Sequence, residues 1–361
     1  MNVASPSNNL VGLERQELEE LAKSFGEAPY RGRQIFHRIY SRREKALAAF
    51  TDLDMGFREA LAAHYEIAYP EVRNEFISKD GSARYLLRLQ DNSFIETVYM
   101  PEEGRCTLCL SSQSGCALGC RFCFTGLLGL ERNLSAGEIL GQALVVAEAR
   151  KIPLHSRLNL VFMGMGEPLL NLAQVMKAIR ILRDPKGLAI PLRRITISTA
   201  GVIPGMHDLA RDPARPKLAI SLNASNEKER TELMPINRKY SLSELINACQ
   251  AYPLRPRELL TFEYVLLSGF NDADADALRV AGLLRGLRAK VNLIPYNPGD
   301  ELPYRPSPLD RVLAFQRILT ERSIPTYVRI SRGQDIRAAC GQLGLEGMRR
   351  RRPKTPIPPS N

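Results

Sequence analysis

No stretch of the 361 residues approaches the ~18 consecutive apolar residues of a membrane span. The first residues, Met1–Asn9, are polar and hold no apolar h-region, so no secretory signal is expected and the expected location is the cytoplasm. Histidine is scarce. His37, His64, His155 and His207 are the full set, and their spacing fits no metal-ligand pattern. Cysteine is odd in number. Seven cysteines without an export signal argue against a disulfide framework and favour metal-binding or catalytic thiols. Integral membrane, collagen-like and wholly disordered classes are thereby excluded.

The chain has what a folded protein needs. Hydrophobic residues make up 44% and charged residues 25%, enough for a buried core in one large domain or two. The 50 Lys and Arg exceed the 39 Asp and Glu, giving +11. An excess of that size favours a polyanionic partner such as nucleic acid.

Residues 1–68 are expected to form a basic helical accessory domain that binds RNA. Glu14–Phe25, Arg31–Phe50 and Phe57–Tyr65 carry apolar residues at helical spacing. In the second, Ile35, Ile39, Leu47 and Phe50 form an apolar side. Arg31, Arg33, Arg38, Arg42, Arg43 and Lys45 lie opposite, either as a solvated surface or as a phosphate-contacting face. Residues 69–100 read as a β-meander connector. Asp80-Gly81 and Asp91-Asn92 are turn signals between the strand-like segments Glu75–Lys79, Ala83–Leu89 and Ser93–Met100.

From 101 to 345 strands and helices alternate. The predicted strands are Thr107–Ser112, Leu158–Met163, Ile195–Thr199, Leu218–Leu222, Leu260–Leu266, Val291–Pro295 and Thr326–Ile330. Ser135-x-x-Glu138 and Ser241-x-x-Glu244 are capping boxes that start helices, and Asp272–Leu287 and Pro308–Arg322 are two more helices. The fold class is α/β. Such alternation implies a parallel sheet under helices, curling toward a full or partial (β/α) barrel, with ligand chemistry at the C-terminal strand ends. The tail, 346–361, contains Arg349–Arg352 and several prolines. It is expected to be a disordered basic arm, making phosphate contacts or merely solvated.

Five of the seven cysteines fall close together: Cys106, Cys109, Cys116, Cys120 and Cys123. Cys116, Cys120 and Cys123 make C-x3-C-x2-C between the first predicted strand and the first helix of the alternating region. Three close thiolates can hold three irons of a 4Fe–4S cluster and leave the fourth open. Soft sulfur also suits zinc, and a structural zinc site wants four ligands, which Cys106 and Cys109 could complete.

C-x3-C-x2-C at the top of the first strand of a βα-repeat region is the signature of the radical S-adenosylmethionine (SAM) superfamily. Further stretches narrow the resemblance: Cys109–Gln113 with GCALGCRFC, FMGMGEPLLN (Phe162–Asn171), ISTAGVIP (Ile197–Pro204), AISLNA (Ala219–Ala224), MPINRKY (Met234–Tyr240), VNLIPYNP (Val291–Pro298) and RGQDIRAACGQL (Arg332–Leu343). Together they resemble the dual-specificity 23S rRNA/tRNA adenine-C2 methyltransferases of the RlmN type, from about residue 12 to 345.

The resemblance implies a partial (β/α)6-type radical SAM barrel with an N-terminal helical domain and a short β extension. It implies one 4Fe–4S cluster on Cys116, Cys120 and Cys123, and two SAM molecules per turnover, with Gly166, Glu167, Ser198, Ser221, Leu222, Asn223 and Asn297 holding SAM. The open iron takes SAM's amino and carboxylate groups, and reduction yields a 5′-deoxyadenosyl radical. Cys340 matches the cysteine that carries the methyl group. Cys109 matches the one that later forms a transient disulfide with it. Glu96 matches the proton acceptor. The implied product is 2-methyladenosine in the peptidyl-transferase region of 23S rRNA and 3′ of the tRNA anticodon. A flavodoxin-like one-electron reductant is also implied. Nothing demands more than a monomer, and no membrane is involved.

This chain departs from the family at Asn223, where His is more usual, and at Ala200, where Ser is more usual. A backbone contact from position 223 would survive that change, whereas a side-chain contact would alter. Cys106 and Cys249 match no family role and read as structural. Two other readings remain: C8 methylation of the same rRNA adenine, and a non-catalytic zinc-stabilised RNA-binding protein.

Overall fold

Three helices come first in the computed structural model, which describes residues 8–153, 157–298 and 302–344. They are α1 (Arg15–Ser24), α2 (Pro29–Phe36) and α3 (Met55–His64). Pro29 at the first position starts α2 and the Asp54 carboxylate caps α3 through the Gly56 N–H at 2.8 Å. The tail with Arg349–Arg352, and His155, lie outside the described residues.

The helix expected over Arg31–Phe50 is broken. After Phe36 the chain makes a π turn, His37–Ser41, and then a loop in which Arg43 adopts a left-handed φ of 57°. Local periodicity loses to tertiary contacts here. The Tyr40 hydroxyl accepts from the Gly12 N–H at 2.8 Å and donates to the Leu13 carbonyl at 3.1 Å. The arginine side is neither bare nor solvated throughout. Arg33 pairs with Glu19 at 3.3 Å, and Arg38 with Glu44 at 2.7 Å and Asp52 at 2.9 Å. Arg31 donates to the Asp52 carbonyl, Arg43 to the Ile152 carbonyl, and Lys45 pairs with Glu148.

Strands β1 (Glu71–Ile77), β2 (Ala83–Arg88), β3 (Phe94–Glu102) and β4 (Arg105–Cys109) form an antiparallel meander. It is not set apart from the barrel. β4 continues in parallel to β7 (Leu158–Phe162), β8 (Ile195–Thr199), β9 (Lys217–Ser221), β10 (Leu260–Leu266), β11 (Ala289–Pro295) and β12 (Thr326–Val328) in one ten-stranded sheet. A two-stranded ladder, β5 (Gln113–Gly115) and β6 (Leu130–Asn133), flanks the cysteine loop.

Helices cover the sheet between these strands: α4 (Phe124–Leu127), α5 (Ala136–Ala149), α6 (Leu172–Arg183), α7 (Ile203–Arg211), α8 (Glu227–Leu233), α9 (Leu242–Ala251), α10 (Asp274–Leu283) and α11 (Leu309–Glu321). Both predicted capping boxes form. Ser135 and Glu138 exchange bonds at the start of α5, as do Ser241 and Glu244 at α9.

One continuous core runs from Leu10 and Leu18 in the N-terminal region through the barrel to Leu343. A second, smaller apolar cluster sits at the C-terminal strand ends. It comprises Ala200, Leu233, Met234, Val265, Leu267, Ile294 and Tyr296, and it packs against Leu118, Cys120 and Phe122 of the cysteine loop. Among the described residues no helix is long and apolar enough to cross a membrane.

Candidate active site

The chain leaves β4 through a loop that buried amides hold in place. Gln142 of α5 accepts from the Ser111 N–H at 2.8 Å and donates to the Ser111 carbonyl at 2.9 Å. Asn171 donates to the Ser112 carbonyl at 2.8 Å. The loop then delivers Cys116, Cys120 and Cys123, all partly exposed, to the edge of the smaller apolar cluster. Burial pushes the Cys116 thiol up to about 12 and raises Cys120 and Cys123 as well. The hydroxyl of Tyr296 is buried beside them with no hydrogen-bond partner.

Gly166 and Glu167 follow β7. Gly166 has φ +96°, and a Cβ there would stand 2.5 Å from the Gln113 Cβ, so the turn requires glycine. The turn aims Glu167 inward. Its Oε1 accepts from the Leu169 N–H at 3.1 Å and its Oε2 from the Ala200 N–H at 2.9 Å. Burial raises this carboxyl to about 7 against those bonds. A cation beside it would restore its charge.

Ser198 lies on β8 and Ser221 ends β9, with Leu222 and Asn223 just beyond. The Asn223 side chain is committed elsewhere. Its Oδ1 accepts from the Val265 N–H at 2.9 Å and its amide points at the Met234 sulfur at 3.5 Å. The residue holds φ 55°, a conformation Asn tolerates. Asn297, past β11, donates to the Ser331 hydroxyl at 2.7 Å.

A segment after β12 closes the site. From Arg332 to Gly344 it is strapped across the meander. Gly333 N–H donates to Asp80 at 3.0 Å, and Ser78 hydroxyl to Asp335 at 2.6 Å. Arg84 donates to the Ile336 carbonyl at 2.8 Å, and Gly344 N–H to Glu96 Oε2 at 3.2 Å. Its other side meets the cysteine loop. Phe124 N–H donates to the Gly341 carbonyl at 2.7 Å, and Thr125 hydroxyl to the Leu343 carbonyl at 2.7 Å.

Cys340 lies in this strap. Cys340 and Cys109 both line one lumen of about 450 Å³ inside the barrel. Cys340 is exposed to the lumen yet deep in the protein, and burial raises it to about 11; Cys109 is buried and raised further. Glu96 does not share that lumen. It lines a separate cavity of about 10 Å³ with Met165 and Gly344, and it is fully buried in an ion pair with Arg84.

Two family models match the chain. The Radical SAM superfamily covers residues 110–281, and the Ribosomal RNA large subunit methyltransferase N-terminal domain covers 8–67. A dual-specificity RNA methyltransferase RlmN from Syntrophobacter fumaroxidans is 47% identical over 91% of this chain and 96% of its own. Its namesake from Solidesulfovibrio magneticus is 46% identical over 94% and 97%. The crystal structure of a radical SAM methyltransferase from Sphaerobacter thermophilus superposes with a TM-score of 0.89 at 44% identity, over 94% of this chain and 99% of that one.

The chain belongs to the RlmN family. Its radical SAM membership implies a 4Fe–4S cluster and SAM, and the cysteine loop fits such a group. It offers three soft donors, an apolar wall and an orphaned tyrosine hydroxyl. Among the described residues no three His, Cys, Asp or Glu side chains, those of the cysteine loop included, converge on a single ion position.

Beside these residues, sequence reasoning missed two buried arginines. Arg230 in α8 donates to the carbonyls of Ala200 at 2.7 Å, Ser221 at 3.3 Å and Leu222 at 3.3 Å, and to Asn237 at 2.9 Å. It ties the ends of β8 and β9 together, and burial lowers it to about 10. Arg84 was missed likewise. Neither carries a local signal. The MPINR run around Asn237 is the one trace of the Arg230 contact in the sequence.

Proposed function

We propose that the chain installs a methyl group on C2 of adenine in 23S rRNA and tRNA, at the peptidyl-transferase region and 3′ of the anticodon. One observation carries the route: Cys109 and Cys340 line one lumen, and the loop holding Cys340 is hydrogen-bonded to the cysteine loop.

Cys116, Cys120 and Cys123 hold the one 4Fe–4S cluster of the chain. Glu167 receives the SAM ammonium, and Gly166, Ser198, Ser221, Leu222 and Asn297 line the rest of its pocket. Asn223 contributes through its backbone, because its side chain is engaged with Val265 and Met234. Arg230 fixes the strand-end carbonyls around that pocket. When bound, the cluster and SAM supply the methyl group and, after reduction by a flavodoxin-like donor, a hydrogen-abstracting radical, two SAM molecules serving each turnover.

C2 of adenine has no lone pair to attack a methyl sulfonium, so the chain's own residues must do more. Cys340 takes the methyl on sulfur, that methyl gives up one hydrogen to the radical, and its carbon bonds to C2, the adduct returning the one electron that reduction supplied. By the family match Glu96 accepts the C2 proton, although it stands outside that lumen and is paired with Arg84. The Cys109 thiolate then attacks the Cys340 sulfur; the S–S bond forms as the S–C bond breaks, and the released RNA carbon takes a proton to complete the methyl group. Both sulfur steps need thiolates, and the raised thiols make deprotonation part of each. The adenine reaches the site unstacked. A monomer suffices, and the cytoplasm holds both RNAs.

Cys109→Ala tests this directly. It should trap a covalent protein–RNA adduct through Cys340, whereas Cys340→Ala should give neither adduct nor product while keeping the cluster. Turnover by Cys340→Ala would overturn the route.

A further inference from the structure

The lumen does more than enclose two thiols. It runs from Cys109 and Cys340 to the N-terminal ends of the strands, opposite the cysteine loop. That far rim is basic. Arg105 begins β4, Arg193 and Arg194 stand just before β8, and Lys217 begins β9. Among the described residues that line the lumen, seven cationic side chains face two carboxylates, Glu102 and Glu263.

Both carboxylates are already occupied. Glu102 pairs with Arg105, and Glu263 accepts from Asn292 at 2.8 Å, which in turn accepts from Arg329 at 3.0 Å. Lys290, one layer in from the rim, is lowered by burial and then by the nearness of Arg329 and Lys217. Between rim and thiols stand small polar side chains: Thr107, Asn159, Thr196 and Thr261. The passage is therefore polar and anion-attracting, and at about 450 Å³ it admits a small molecule and no folded protein.

We propose that this lumen is the entry route for a small anionic thiol, which reduces the Cys109–Cys340 disulfide after each turnover. The proposal rests on the function proposed above. Cys340 is exposed to the lumen and Cys109 is buried, so the incoming thiolate attacks the Cys340 sulfur. The Cys109–Cys340 bond breaks, and Cys109 leaves as a thiolate and takes a proton. A second small thiolate attacks the first at its sulfur and releases Cys340, which is protonated in turn. Two small thiols thus give two electrons and depart as their own disulfide.

The test uses the loaded enzyme, turned over once on RNA without added thiol and then read by peptide mass for the Cys109–Cys340 link. 2-Mercaptoethanesulfonate or cysteamine is next added at equal thiolate concentration, and loss of the link is timed. The anionic thiol should act roughly tenfold faster at low salt. The preference should shrink to about twofold in high salt, and in the double variant Arg193→Glu/Arg194→Glu. Lys217→Glu is the second variant should that one fail to fold. Equal rates for the two thiols, or a preference that survives both variants, would overturn the proposal. So would variants that lose RNA affinity but keep the thiol preference, since the rim would then be an RNA contact. Absence of the linked peptide, seen before any thiol is added, would overturn the proposed function itself.

Discussion

Arg84 reaches diagonally from β2 to Glu96 on β3, Nη1 to Oε1 at 2.9 Å, with both side chains buried. The same two residues hold the strap at two points, Arg84 at Ile336 and Glu96 at Gly344. The proposed proton acceptor is therefore also a structural clamp for Cys340. Glu96→Ala strands a buried guanidinium and should cost roughly 3–5 kcal/mol of stability. Glu96→Gln keeps the shape, should stay folded, and should stall with RNA attached. Thermal denaturation beside adduct formation separates the two roles. A fully active Glu96→Gln would remove the base assignment.

The strap also has an acid-sensitive anchor. Burial would raise Asp80, but the N–H groups of Gly333 and Ser82 and the hydroxyls of Ser82 and Ser78 outweigh it and bring it to about 2. Asp335 is lowered by the Ser78 hydroxyl and then by the Lys79 N–H. Both carboxyls are more acidic folded than unfolded. Their contribution is complete above about pH 4 and fades as pH falls toward 2. Pepsin cleavage between residues 332 and 344 should rise steeply over that window in the wild type. In Asp80→Asn the cleavage should already be raised at pH 4. A flat profile would show that these bonds do not hold the strap.

Gly166→Ala should abolish SAM binding without unfolding the chain. The added Cβ meets Gln113 at 2.5 Å in a backbone conformation that L residues rarely adopt, and Gln113 Oε1 is the acceptor for the Glu167 N–H. Equilibrium dialysis with SAM reads the loss directly. Unchanged affinity would mean that Glu167 does not depend on this turn.

Arg31, Arg33 and Arg38 are engaged within the N-terminal domain. Replacing all three with Ala should lower stability by about 1–3 kcal/mol, given ~0.2–1 kcal/mol for each exposed pair. It should leave the salt dependence of RNA binding nearly unchanged. A slope reduced by about 3 would show instead that RNA breaks these pairs and takes the arginines over.

The parallel strands were readable because apolar and β-branched runs mark them. Ile195–Thr199 and Leu260–Leu266 coincide with the predicted segments. The cysteine run and the residues at the strand ends were readable from motif spacing and family resemblance. What stayed hidden depends on distant partners. Nothing near Arg84 announces Ile336 or Glu96, and Arg230 sits in a charged helix, Glu227–Leu233, that reads as surface. The second helix was overextended because its amphipathic pattern continues past Phe36, while Tyr40 and Arg38 turn the chain through contacts with Gly12, Glu44 and Asp52. The lumen that joins Cys109 to Cys340 is likewise lined by residues far apart in the sequence, from Val98 to Leu343.

Nucleoside mass spectrometry tests the central claim most directly. Unmodified 23S rRNA and tRNA would be incubated anaerobically with the reconstituted protein, SAM and a reductant, then digested and compared with authentic methyladenosine isomers. The account predicts 2-methyladenosine in both RNAs. The appearance of 8-methyladenosine, or of no methyladenosine from a protein that holds its cluster and cleaves SAM, would contradict it.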